Sequence, residues 1–260
     1  MITNEAKICL YCYKRTHLYI LMKNPSPFLP TNDLSASEVM SSITIDCCVF
    51  SFEKGNLEIL LVEHGEGISK GKWGLPGGWI KKEEDIDVAA DRLLSELTGV
   101  KDIYLEQVRT FGKPERFPLD RVITVGYYAL INREDFNLKA GFTASEAKWY
   151  RVKETPELIY DHNEILQASL NRLRGKVKRA PIGFNLLPEK FTLLQLMQLY
   201  TEILDIEMDK SNFRRKFLKM KLLQDAGDKQ NGVSHRAAKL YRFDKEIYQN
   251  LTRKGFNFEF

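Results

Sequence analysis

Cysteine is scarce, with four among 260 residues. They are unevenly placed and no signal peptide precedes them, which argues against the disulfide framework of a small secreted protein and for a reducing cytoplasm. Cys9 and Cys12 have the spacing of half a zinc site, but no second cysteine or histidine pair follows, and Cys47-Cys48 lie in an apolar run; no metal and no cofactor are expected. Long hydrophobic runs are also absent. The stretch 8–22 is broken by Lys14, Arg15 and His17, well short of the roughly eighteen apolar residues of a membrane helix, so no membrane span is expected. Repeats and low-complexity tracts are missing. Acidic residues thin out along the chain: residues 1–170 hold 20 Lys and Arg against 25 Asp and Glu, and residues 171–260 hold 19 against 10. A body of charge −5 thus carries a segment of +9, a distribution that suits a polyanion-binding module joined to another domain.

What is present reads as strands and helices mixed without regular alternation, an α+β chain. Residues 1–41 hold Pro25, Pro27 and Pro30 and show no sustained period, so they read as an irregular arm or an overextended start. Strand-like runs at 43–50 and 57–62 flank the turn Glu53-Lys54-Gly55-Asn56 and predict a hairpin. Asp85 caps a predicted helix through Leu97, closed by Gly99, and further strands are expected at 103–111, 122–131 and 147–152. A helix at 163–173 runs into basic residues with Pro181 behind them, which places an interdomain linker at 173–190. The expected domains are 42–172 and 191–260.

Trp73-Gly74-Leu75-Pro76-Gly77-Gly78 is a glycine-rich bend. From Gly78 the chain resembles the Nudix box, matching at Gly78, Glu84, Arg92, Leu94, Glu96, Gly99 and Val100 and departing at Leu93 and Leu97, where the family has glutamates. Hydrolysis of a nucleoside diphosphate linkage needs divalent cations held by carboxylates, and positions 93, 96 and 97 share one helix face. Leu93 and Leu97 leave Glu96 as the lone candidate there, with Glu83 and Glu84 at the loop, so hydrolysis is expected to be lost or vestigial and no catalytic residue is assigned. Trp73, Gly77, Gly78, Arg92 and Glu96 are the expected effector-binding residues. The bland alternatives are a tight turn for the glycines, a surface pair for Arg92 and Glu96, and a buried aromatic for Trp73.

In the basic segment, Thr192 caps a helix with Leu193, Leu196, Met197, Tyr200 and Leu204 at helical spacing, and Asp209 caps a second with Phe213, Phe217 and Met220 on one face. Lys210, Ser211, Asn212, Arg214, Arg215 and Lys219 then face outward or flank that arc, and a hairpin-like stretch through Asp228-Lys229-Gln230-Asn231-Gly232 puts His235, Arg236 and Lys239 on a wing. Two helices and a wing make a winged helix-turn-helix, and these nine residues are the expected contacts to double-stranded DNA. A merely solvated charged face is the rival reading.

Together, Gly74-Leu75-Pro76-Gly77-Gly78 with its altered box, Phe184-Asn185-Leu186-Leu187-Pro188, and the Asn-Phe-Arg-Arg-Lys core at 212–216 resemble the Nudix-related transcriptional regulators. The resemblance implies a Nudix-like α/β/α sandwich followed by a winged helix, a homodimer on palindromic operators, and a small effector in the Nudix-like domain. One branch of that family senses ADP-ribose in NAD metabolism and another senses a pentose such as arabinose. Leu97-Thr98-Gly99 and Tyr127-Tyr128-Ala129-Leu130 look more like the sugar branch, so carbohydrate utilisation is the expected pathway. An active Nudix pyrophosphatase with a basic domain, and an RNA-binding adaptor, are the rivals from other classes.

Overall fold

Side chains alternate along a strand, and the first long strand uses both of its faces. A computed structural model of the chain describes residues 39–65, 67–98, 103–133, 144–230 and 237–260. Strand β1 (Val39–Glu53) turns through Lys54 and Gly55, both at positive φ, into β2 (Asn56–His64). Those two left-handed residues are what a two-residue hairpin matched to the strand twist requires. After the short β3 (Trp73–Gly74) and β4 (Gly77–Lys81) come helix α1 (Ile86–Thr98), β5 (Tyr104–Phe111), β6 (Ile123–Leu130), β7 (Ala144–Arg151) and helix α2 (His162–Val177). These strands form one mixed sheet of order β3-β2-β1-β6-β5, with β4 against β1 and β7 against β2. The β1–β6 pair is parallel and the others are antiparallel.

Ile45, Cys47 and Val49 face one way, packing with Val125, Tyr127, Leu93 and Leu94 under α1. Cys48 and Phe50 face the other way, packing with Tyr128, Leu130, Ile165 and Leu170 under α2. The expected three-layer sandwich follows from that alternation.

The winged helix comprises β8 (Phe191–Thr192), α3 (Leu193–Leu204), α4 (Lys210–Met220), β9 (Leu223–Lys229), β10 (Lys239–Phe243) and α5 (Lys245–Arg253). Thr192 accepts the Gln195 N–H at 3.1 Å while Gln195 reaches back to the Thr192 N–H, a complete capping box.

The 173–190 stretch, expected as a linker, is folded. Helix α2 continues to Val177, a short 3-10 helix covers Pro181–Leu186, and Leu173, Val177, Ile182, Leu186 and Leu187 are buried. They join the α2 side of the Nudix-like sheet to Leu196, Tyr200 and Phe217 in one continuous core. The basic residues that suggested a linker lie on the outer side of this joint, where Arg174 Nε donates to the Ile203 carbonyl at 2.9 Å. Lys153 adds a salt bridge to Glu202 at 3.2 Å. Residues 1–38, most of the expected arm, fall outside the described residues, as do Gly99, Val100, His235 and Arg236. Among the described residues no helix is long and apolar enough to cross a membrane.

Candidate sensor cleft and nucleic-acid interface

The glycine bend is forced by close packing. The Cys47 N–H donates to the Pro76 carbonyl at 2.8 Å, drawing the loop onto β1. A Cβ on Gly77 would stand 2.3 Å from the Ile45 carbonyl oxygen, and one on Gly78 would stand 2.7 Å from Leu93 Cδ2. Neither position tolerates a side chain without movement.

Arg92 braces the other side of the bend. Its guanidinium binds Glu84 through two hydrogen bonds of 2.6 and 2.8 Å, donates to the Trp79 carbonyl at 3.2 Å, and reaches Glu96 at 3.3 Å. The expected Arg92–Glu96 pair therefore exists, but Glu84 is the nearer partner. The Arg92 guanidinium holds the Glu84 carboxyl below the usual carboxylate range, helped by the Lys81 N–H and opposed by burial. Leu93 is 8% exposed and belongs to the core, Glu83 is exposed, and the Leu97 side chain lies outside the described residues. Among the described residues no three acidic, histidine or cysteine side chains gather as a metal site. Glu84 and Glu96 are both turned to Arg92, and the Leu93 hydrocarbon occupies the position of a family glutamate.

Behind the bend lies a narrow cleft lined by Gly78, Trp79, Thr44, Asp46, Arg116, Phe117, Val122, Tyr160 and His162. Arg116 is almost wholly buried, at 4% side-chain exposure, and donates to Asp46 at 3.0 Å and to both oxygens of Asp161 at 2.8 and 3.0 Å. His162 Nδ1 accepts the Leu75 N–H at 2.9 Å, so this network also fixes the loop entering the bend. The Trp79 indole nitrogen is buried without a hydrogen-bond partner. Of the five expected effector residues, Gly78 lines this cleft. Gly77 pairs with Asp46 in the β1–β4 register, Arg92 and Glu96 lie on α1, and Trp73 packs edge-on against Tyr150 at 5.1 Å. Sequence reading passed over Asp46, Arg116, Asp161 and His162. The signal available was Asp46 itself, a single acid inside the apolar run 43–50. A larger cavity of about 790 Å³ lies between the end of β6 and the winged helix, lined in part by Tyr104, Phe184, Arg242 and Phe243; it contains none of the expected effector residues.

Burial also acts on the histidines here. It pushes His64 down to about 4, with His162 lowering it further and Asp46 opposing; burial likewise lowers His162. The unfolded chain takes up a proton near the ordinary histidine value while the folded chain refuses it, so stability is lost as pH falls from about 6.5 toward 4. Melting temperatures at pH 7, 6 and 5 should fall, and His64→Asn should flatten that slope; an unchanged slope would show that other groups set it.

In the winged helix, Asp209 accepts the Asn212 N–H at 2.7 Å and caps α4. Phe213 and Phe217 are buried, whereas Lys210, Ser211, Asn212, Arg214, Arg215 and Lys219 are exposed, as the spacing predicts. Leu218, 37% exposed, shares the free face and was missed because it directly follows the buried Phe217. Lys239 stands on the wing strand β10, ion-paired with Asp225 at 2.5 Å.

Both modules match known families. Residues 40–170 match the NUDIX domain model and residues 183–243 match the NrtR DNA-binding winged helix domain. The chain is 32% identical over 210 residues to a protein from Acinetobacter baylyi named ADPR responsive transcriptional repressor NtrR, covering 79% of this chain and 83% of that one. The structure of Shewanella oneidensis NrtR complexed with a 27mer DNA superposes with a TM-score of 0.70 at 28% identity, over 83% of this chain and 97% of that one. An ADP-ribose pyrophosphatase from Methanocaldococcus jannaschii is 30% identical over 115 residues, 44% of this chain and 66% of that one. The fold and the two matches define a Nudix domain joined to a DNA-binding winged helix, the architecture of a transcriptional regulator. Within that class, this chain belongs to the NrtR family.

Proposed function

We propose that this protein is an ADP-ribose-responsive transcriptional regulator whose winged helix grips duplex operator DNA and whose Nudix domain holds the effector. The observation that carries it is the outward face of α4, cationic and amide-bearing, on a helix whose opposite face belongs to the same core as the Nudix sheet. The ligand assignment is supported by the Acinetobacter relative, whose similarity spans both modules. The pentose effector and the link to carbohydrate use have no support in the comparisons, which favour the ADP-ribose alternative.

A ligand moves this system only by its differential affinity for the arrangements that bind and release DNA. Two copies related by a twofold axis would set their recognition helices about one DNA turn apart, roughly 34–36 Å, and read a palindrome. On this reading Arg215, at the centre of the free face, meets base edges and Lys219 meets phosphate. The altered box acts as a binding surface without turnover, since Leu93 and the Arg92-bound glutamates oppose a metal cluster.

ADP-ribose at a hundred times its dissociation constant should stabilise the protein by about 2.7 kcal/mol and shift a gel-retarded operator band. Arabinose should do neither. Release by arabinose with indifference to ADP-ribose would restore the sugar reading, and metal-dependent cleavage of ADP-ribose would establish the hydrolase instead.

A further inference from the structure

On α4 the buried Phe213 and Phe217 define one direction. At about 100° per residue, Arg215 lies close to 180° from their midpoint and so occupies the centre of the free face. Its Nη2 donates to Asn212 Oδ1 at 2.6 Å, between two exposed side chains three positions apart. The Asn212 backbone is itself held by the Asp209 cap, which fixes the root of the amide in the first turn of the helix, where base-reading residues of this motif sit.

That contact decides what each residue can read. Asparagine recognises adenine by presenting Oδ1 and Nδ2 together to one base edge. An Oδ1 that accepts from Arg215 keeps one lone pair, but the plane of the amide is then set by its neighbour on the helix and not by a base edge. Arginine has five N–H donors, so Arg215 gives one to Asn212 and keeps enough for the O6 and N7 acceptors of guanine, with its plane already set. Building on the DNA-binding reading above, we infer that Asn212 is a positioning residue for Arg215: it orients the guanidinium toward a guanine and does not read an adenine of its own. Less side-chain freedom is then lost on binding, because one torsional arrangement of Arg215 is selected beforehand.

Selection from a random double-stranded library tests this with the full-length wild type and the Asn212→Ala, Asn212→Asp and Arg215→Ala variants, followed by anisotropy titration of the enriched duplexes. A good bidentate arginine–guanine pair gives roughly tenfold to hundredfold discrimination. Arg215→Ala and Asn212→Ala should both reduce it at the same base pair, to less than about threefold for Arg215→Ala. Asn212→Asp retains an acceptor for Arg215 and should keep the guanine preference while binding all duplexes more weakly. A loss of fold would lower every affinity alike and could not erase one base preference. If Asn212→Ala instead relaxes an adenine position and spares the guanine, or leaves all preferences intact, the positioning role is wrong. A wild type that enriches no duplex would overturn the DNA-binding reading itself.

Discussion

Arg116→Met is expected to destabilise the protein by about 3–5 kcal/mol in urea denaturation, a large part of the total stability of an ordinary domain. The reason is burial. Asp46 and Asp161 have side-chain exposures of 6% and 11%, and both are held by Arg116. Without the guanidinium, two carboxylates from β1 and the residue preceding α2 face each other in a poorly solvated place. The triad itself need not be a net stabiliser, since apolar replacements of whole buried ion clusters are often neutral or better. Its removal piece by piece is what costs. Adding Asp46→Asn and Asp161→Asn to Arg116→Met should therefore recover much of the loss. A change under about 1 kcal/mol for the single variant would mean that water reaches the cluster and screens it as it does a surface pair. Arg116 also lowers His162 whereas Asp46 raises it, so the single variant should move the His162 titration upward.

The parts of this molecule that were legible in sequence are those with local causes. The β1–β2 hairpin announced itself through Lys54-Gly55, where two positive φ angles are needed. Thr192 and Asp209 sit where a side-chain oxygen can satisfy a free N–H, and both helices begin there. The free face of α4 followed from the two phenylalanines four apart. What was not legible depends on distance along the chain. Nothing near Asp46 says that Arg116 and Asp161, 70 and 115 positions later, neutralise and orient it. Strand β7 pairs with β2, and the parallel partner of β1 is β6, far downstream. That the junction at 173–190 is folded was hidden for another physical reason: composition reports its exposed side, and the apolar side, which carries the joint, is diluted among basic neighbours.

That joint ties the core of the winged helix to the core of the Nudix domain. Phe217 lies in the winged helix, is fully buried, and contacts Phe213, Tyr200 and Phe260 at ring separations of 4.6, 5.2 and 5.4 Å. Phe217→Ala should cost about 3–5 kcal/mol through lost contacts and the cavity left behind. All three tryptophans, Trp73, Trp79 and Trp149, lie in the Nudix domain, so intrinsic fluorescence reports on that domain while the substitution is made in the other. Were the two joined by an ordinary flexible linker, the fluorescence midpoint would stay where it was. Because α2, residues 181–187 and α3 share one apolar core, the midpoint should fall by roughly 10 °C, together with the far-UV transition. An unmoved fluorescence midpoint beside a lowered far-UV transition would show that the two halves unfold independently. The shared core would then be too weak to relay effector binding to the recognition helix within one chain, and the relay would have to run through the arrangement of two copies on the operator.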